Sequence, residues 1–298
     1  MAERAVSALV AFLVALFGWA PLPVDEGSSP GRVVIPIESR SGGGSLPAVT
    51  SARGDDPPLV VIDPGHGGRD PGAPAPLAGL QEKDVTLALA RVIRDEIARS
   101  GRVRVALTRE GDRFIPLEGR YEVARRLGAD LFISLHADAA PSGEGARGAT
   151  IYTLSEVASD REAALLAQRE NAADTVGGAA MSDDTNVNRI LIDLAQRESM
   201  EVSTRFALLL RREAGDAFPF HPDWRRFAAF IVLKAPDIPS VLFEAGYLSN
   251  PQDVAYLTSQ QGRAEIAAGL RRAVEAHFAR RFLSGERREP VDIDRGSR

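Results

Sequence analysis

The sequence predicts an α/β fold: a single domain on a mostly parallel or mixed, roughly six-stranded twisted sheet, covered by helices on both faces, with a helical insertion between strands four and five. Three observations predict it. Short apolar runs of strand length recur between turn residues, segments with apolar residues at helical spacing alternate with them, and one connection is far longer than a crossover requires.

Ahead of the domain, Met1-Ala-Glu-Arg4 precedes an apolar run over residues 5–20. That is about the length of a signal-peptide core and short of the roughly 20 residues of a spanning helix. Residues 1–20 are expected to be a signal peptide or a short anchor, with export and no membrane span in the mature form. Residues 21–58, rich in Gly, Ser and Pro, read as a flexible linker, and the folded domain is expected over 59–284.

Its first strand is expected at 59–62. Residues 84–99 read as a helix because Val85, Leu89, Val92, Ile93 and Ile97 share one face. A strand at 103–107, a short helix at 117–127 and strands at 131–135 and 149–152 follow. The next apolar runs of strand length, 229–233 and 241–243, read as the fifth and sixth strands. Between the fourth and fifth lie residues 154–227, where a crossover needs only about a dozen. The insertion is placed at 155–217, with helices at 162–173 and 187–214 joined by the turn-like 176–184. Such a segment is either a lid or a helical ornament that adds core. Ile190, Leu191, Leu194, Met200 and Val202 on its second helix suit an apolar strip for a partner or packing on the domain. Asn250-Pro251 reads as a turn into a helix capped by Ser249 or Asn250. An amphipathic helix at 261–282, with Ile266, Leu270, Val274 and Phe278 on one face, closes the domain, and the charged tail 285–298 is expected to be disordered.

Composition narrows the chemistry. There is no cysteine, which excludes disulfides, thiolate metal sites and a Cys nucleophile, so any metal must use His, Asp or Glu. A net charge of -5 leaves no basic excess to neutralise phosphates, and nucleic acid is not an expected partner.

Three apolar strands end on an ionisable side chain: Val60-Val-Ile-Asp-Pro-Gly-His66, Leu131-Phe-Ile-Ser-Leu-His136 and Val241-Leu-Phe-Glu244. In open α/β sheets ligands bind outside the carboxyl ends of the strands, so these groups can converge there. Glycines around His66 permit a sharp turn that exposes the imidazole. Glu82, at the start of the helix containing Val85, suits a helix amino end, and with the two histidines it also completes a His, Glu, His set that leaves a fourth metal position open for water. The short motif His-Glu-x-x-His is absent, so such a site is assembled from distant segments. Asp63 and Asp138 stand beside these groups, either orienting them or stabilising turns. His221 reads as a loop residue and His277 as structural.

Four ordered motifs resemble the zinc-dependent N-acetylmuramoyl-L-alanine amidases of the amidase 3 type: Val61-Ile-Asp-Pro-Gly-His-Gly-Gly, Glu82-Lys-Asp, Ser134-Leu-His-Ala-Asp138 and Pro239-Ser-Val-Leu-Phe-Glu-Ala-Gly-Tyr-Leu-Ser-Asn250. The resemblance covers about residues 59–282. It implies Zn2+ on His66, Glu82 and His136, with Glu244 as catalytic base. The implied reaction cuts the amide between N-acetylmuramic acid and L-alanine of the peptidoglycan stem peptide, in the periplasm, for wall remodelling and daughter-cell separation. Division-associated members carry a helical segment that covers the site and supplies a glutamate to the zinc until an activator protein displaces it. The matching segment here is Leu165-Leu-Ala-Gln-Arg-Glu-Asn-Ala-Ala173, which makes Glu170 either the inhibitory ligand of the resting state or an ordinary exposed helix residue. A monomer is expected. Residues 21–58 are too short and polar to be the separate targeting domain that such members often carry. Two other readings compete: a zinc carboxypeptidase on a related scaffold, for which no arginine is identifiable to hold a terminal carboxylate, and a catalytically silent cell-wall binding protein.

Overall fold

The computed structural model describes residues 45–73, 79–139, 146–178, 189–215 and 217–279, without the side chains of 189–193. The described residues belong to the unit Ile37–Pro290. The expected signal segment, most of the expected linker, much of the 176–184 turn and the charged tail lie outside them.

The strands are β1 (Leu59–Pro64), β2 (Arg104–Leu107), β3 (Leu131–His136), β4 (Ala149–Leu154), β5 (Phe220–Ala228) and β6 (Ser240–Glu244). The helices are α1 (Glu82–Arg99), α2 (Leu117–Leu127), α3 (Arg161–Asn171), α4 (Ala173–Gly177), α5 (Arg189–Ala214), α6 (Pro251–Thr258) and α7 (Gln260–His277). One six-stranded sheet runs in the order β2-β1-β3-β6-β4-β5. β2, β1, β3 and β6 are mutually parallel, and β4 joins β6 antiparallel, so the sheet is mixed.

Continuous apolar strands follow from having both faces covered. Alternate residues point to opposite faces. Val60, Ile62, Ile133 and Phe243 meet α1, α5, α6 and α7, whereas Leu59, Val61, Phe132 and Leu242 meet α2 and α3. On α1 the face carrying Val85, Leu89, Ile93 and Ile97 is buried as its spacing requires, each side chain contributing about 1.5–3 kcal/mol. Gly128 ends α2 in the left-handed conformation, Asp160 caps α3 by accepting from the Ala163 N–H, and Asn250, with Pro251 behind it, caps α6.

Two segments differ from expectation. The fifth strand is Phe220–Ala228, not 229–233; Ile231–Leu233 forms a 3-10 helix whose Val232 and Leu233 fill the core beside Phe230. β5 is an edge strand that carries Pro222 and exposed Asp223 and Arg225, so the apolar pattern of a central strand is missing from it. His221 thus lies in a strand rather than a loop. At the opposite edge, residues 45–58 of the expected linker lie along β2: Val49 bridges Ala106, the Thr50 N–H donates to the Val105 carbonyl (2.9 Å) and the Val105 N–H to Thr50 Oγ1 (2.8 Å). Exposed edge groups need such partners. The last helix spans Gln260–His277, with Phe278 as its cap, and residues 280–282 of the expected span lie outside the described residues.

The insertion divides in two. Phe206, Ala207, Leu210 and Ala214 of α5 are wholly buried in the core that also holds Ile266, Leu270 and Val274 of α7, while Leu194 is exposed. The carboxyl half of α5 is therefore core, and α3 and α4 are the part that reaches the carboxyl ends of the central strands. Among the described residues no helix is long and apolar enough to cross a membrane.

His277 packs edge-on against Phe206 (5.5 Å between centroids) and Phe278 (4.6 Å). Burial and the Arg205 cation push its pKa down to about 4, against the pull of Asp130. Because this value lies below the ordinary 6.5, the unfolded chain takes up the proton first on acidification. The stability held in the neutral ring is complete above about pH 6.5 and is lost as the pH falls towards 4. In His277→Gln the unfolding free energy should fall less steeply across that window, by up to about 1.4 kcal/mol per pH unit. Urea unfolding at several pH values checks this; equal slopes would refute it.

Candidate active site

The sheet order brings the candidate residues together. β1, β3 and β6 are parallel neighbours, with Pro64 opposite Leu135 and His136 opposite Glu244, so the chain after each strand emerges at one edge. His66 lies two residues beyond β1 with φ of 61°, the one positive-φ residue other than glycine among those described. Glu82 opens α1, whose first turn faces that edge.

His66 Nδ1–H donates to Asp70 Oδ2 at 2.8 Å, which leaves Nε2 with its lone pair free. That Nε2 lies 3.0 Å from Glu82 Oε2, so the two atoms can face one cation. His136 Nδ1 lies 3.2 Å from Glu82 Oε1. Glu82 is fixed by both oxygens, Oε1 accepting from the Ala137 N–H (2.9 Å) and Oε2 from the Ala73 N–H (3.0 Å). One ligand atom from each of His66, Glu82 and His136 lies within 4.8 Å of the others, and this nitrogen and oxygen donor set fits a divalent zinc-type ion.

Glycines make room for these ligands. A Cβ on Gly65 would sit 2.5 Å from His136 Cε1 and 2.8 Å from its Nδ1, and one on Gly72 would sit 2.5 Å from Glu82 Oε2. Gly65→Ala should therefore displace the His136 ring and weaken metal binding at least about 10-fold, as displaced ligand geometry does elsewhere. Chelator competition measures this; wild-type affinity would contradict it.

Two further carboxylates complete the cluster. Glu244 is fully buried at the end of β6, with Oε2 accepting from the Asp138 N–H (3.1 Å) and Oε1 unpartnered. Glu170, on α3, is 4% exposed and places Oε2 3.2 Å from His136 Nδ1 and 3.6 Å from His66 Nε2. Beside it, Arg169 binds Asp138 Oδ1 (2.9 Å) and the Ala139 carbonyl (3.0 Å). Burial, with the charges of Glu82, Asp138 and Glu170, pushes the Glu244 carboxyl well above the usual range; burial, Glu82 and Glu170 do the same to Asp138. His66 is raised despite its burial, because Glu82 and Glu170 outweigh desolvation, and Glu82 is lowered despite burial by His66 and His136. So much buried negative charge calls for a cation.

Asp63 touches none of the ligands. It ties the strands instead, accepting from Thr108 Oγ1 (2.5 Å), Ser134 Oγ (2.9 Å) and Arg120 Nη1 (3.1 Å). Asp138 contacts Glu244 through its backbone and α3 through its carboxylate. Asp70, Arg109 and Arg120 escape a reading of strand ends. For Arg120 the one signal is its place on the buried face of α2, between Leu117 and Ala124.

The family model for N-acetylmuramoyl-L-alanine amidase (Amidase_3) matches residues 60–276. The chain is 37% identical over 236 residues to the amidase AmiC of Escherichia coli O6:H1, covering 79% of this chain and 56% of that protein. It is 39% identical to AmiA of Salmonella typhimurium, covering 74% of this chain and 76% of that protein. Thus it spans about half the length of the AmiC relatives it matches. Among solved structures, AmiC2 of Nostoc punctiforme superposes with a TM-score of 0.54 at 27% identity, covering 76% of this chain and 99% of that one. Family model, relatives and fold agree, and the chain belongs to the Amidase_3 family of N-acetylmuramoyl-L-alanine amidases.

Proposed function

We propose that the protein is a zinc-dependent peptidoglycan hydrolase that cleaves the amide bond between N-acetylmuramic acid and L-alanine of the stem peptide. The observation that carries this reading is the convergence of His66, Glu82 and His136 within 4.8 Å, beside a buried Glu244 with one unpartnered oxygen. On this reading residues 59–284 form the catalytic domain, the protein acts in the periplasm after export by its amino-terminal segment, and its work is wall remodelling and daughter-cell separation.

His66 Nε2, His136 Nδ1 and Glu82 would hold the ion. Bound there, zinc supplies Lewis acidity, lowering the pKa of water and polarising a carbonyl. Glu244 does the proton chemistry. Its Oε2 is pinned by the Asp138 N–H, so Oε1 is the atom that takes the proton of the attacking water and returns it to the departing amine of L-alanine.

The insertion supplies restraint. Glu170 lies where a fourth ligand would, which supports a resting enzyme closed by α3 and opened when an activator protein draws that helix away.

Digestion of purified cell wall, with products identified by mass, tests the activity. Free stem peptides that begin with L-alanine, with glycan that keeps its lactyl groups, are expected without chelator and absent with it. Release of a carboxyl-terminal amino acid would instead mean a carboxypeptidase, and binding without products a silent wall-binding protein.

A further inference from the structure

The loop that carries His66 is held by two guanidinium groups that the proposed chemistry does not use. Residues 64–66 present three consecutive carbonyls to the interior. Arg109 donates from Nε to the Pro64 carbonyl (3.0 Å) and from Nη2 to that of Gly65 (2.8 Å). Arg120 donates from Nη1 to Pro64 (3.1 Å) and from Nη2 to His66 itself (3.0 Å). Neither side chain reaches solvent to any useful degree, at 0% and 2% exposure.

Arg109 also reaches a second ligand-bearing segment. Its Nη2 donates to the Lys83 carbonyl (2.9 Å), in the first turn of α1, immediately after Glu82. Thr86, one turn further on, donates to the same Gly65 carbonyl (3.1 Å). One planar, forked group thus bridges the His66 loop to the helix of Glu82 from Nη2 while its Nε holds Pro64, a spacing of donors that a lysine ammonium does not reproduce.

Placing two cations side by side in the interior is expensive. Burial, with the repulsion of Arg120, draws the Arg109 pKa down to about 10 against the attraction of Asp63. Arg120 is paired to Asp63 at 3.1 Å. Apolar side chains would avoid that cost but leave the carbonyls of residues 64–66 without these donors, so the two cations are tied to the conformation of that loop. His66, at φ of 61°, occupies backbone space that a residue with a Cβ enters only when its surroundings hold it there. The bonds to Pro64, Gly65 and His66 are what hold it.

We propose that Arg109 and Arg120 are positioning residues for the metal: they fix the backbone of residues 64–66 and its spacing from Glu82, and so set the affinity of the site. This rests on the metal-binding reading of His66, Glu82 and His136. Neither arginine touches substrate.

The test uses Arg109→Lys and Arg120→Lys in the full chain, with Ile97→Ala as a benchmark in the core near the far end of α1. Zinc affinity is measured by chelator competition, and thermal unfolding is followed with and without zinc. Each arginine variant should lose about 10- to 100-fold in zinc affinity, with a correspondingly smaller stabilisation by zinc. Ile97→Ala should lower the metal-free Tm and keep wild-type affinity. Arginine variants that lose Tm alone, with affinity intact, overturn the proposal; so does failure of both to fold where Ile97→Ala folds, because their role is then structural. A wild-type chain that binds no zinc, or His66→Ala with undiminished affinity, overturns the site reading instead.

Discussion

Glu244→Gln loses about 10³- to 10⁴-fold in peptidoglycan hydrolysis while binding zinc as the wild type does. General acid–base catalysis contributes about 10²- to 10⁴-fold, and here one carboxylate serves both the attack of water and the departure of the amine, which places the loss near the upper end. The substitution keeps the shape. A glutamine carbonyl can still accept from the Asp138 N–H, now 3.1 Å from Oε2, while its amide takes the place of the unpartnered Oε1. The fold should even gain without metal. Because the Glu244 pKa is raised above the ordinary 4.5, the native state keeps a proton that the unfolded chain releases. That penalty on folding grows as the pH rises above about 4.5, and glutamine does not carry it. Product formation from purified wall, zinc competition and a metal-free melt at neutral pH measure the three effects. More than about a tenth of wild-type activity would remove Glu244 from the reaction.

The candidate site is visible in the sequence because buried parallel strands are apolar throughout, so a His or Glu at the end of one stands out. Val60 to His66, Leu131 to His136 and Val241 to Glu244 all follow that rule, and the strand order makes those three strands neighbours. Glu82 is visible only by association, since a carboxylate at the start of α1 is ordinary until its oxygens are found bound to Ala137 and Ala73. The supports are not visible. Arg109 and Arg120 have the composition of surface residues, and only tertiary contact with the carbonyls of residues 64–66 buries them. The fifth strand is misplaced for a related reason. At an edge the outward side is solvated, so Phe220–Ala228 lacks the apolar run of a central strand, whereas Ile231–Leu233 is apolar because it plugs the core as a 3-10 turn.

Glu170→Ala raises hydrolysis in the absence of any partner by about 10- to 100-fold. The carboxylate of Glu170 sits between the two histidines, and its neighbours fasten the segment that bears it. Arg169 grips Asp138, the Asn171 side chain exchanges bonds with the Ala229 carbonyl (2.8 Å) and the Ile231 N–H (2.8 Å), and Asp174 on α4 caps α2 by accepting from the Leu117 N–H (2.8 Å). These contacts persist in the variant, so α3 stays near, but the carboxylate proposed to exclude water from the metal is gone. If about one molecule in a hundred is open at rest, the largest possible gain is about 100-fold, and a weaker closure gives proportionately less. Zinc affinity should move the opposite way, because the resting site loses a ligand. The opposition is diagnostic: an exposed helix residue would change neither quantity, a residue needed for folding would lower both, and a substrate contact would lower activity with affinity unchanged. Basal wall hydrolysis and chelator competition on the same preparation decide among these, and equal rates for wild type and Glu170→Ala would end the case for an autoinhibited enzyme.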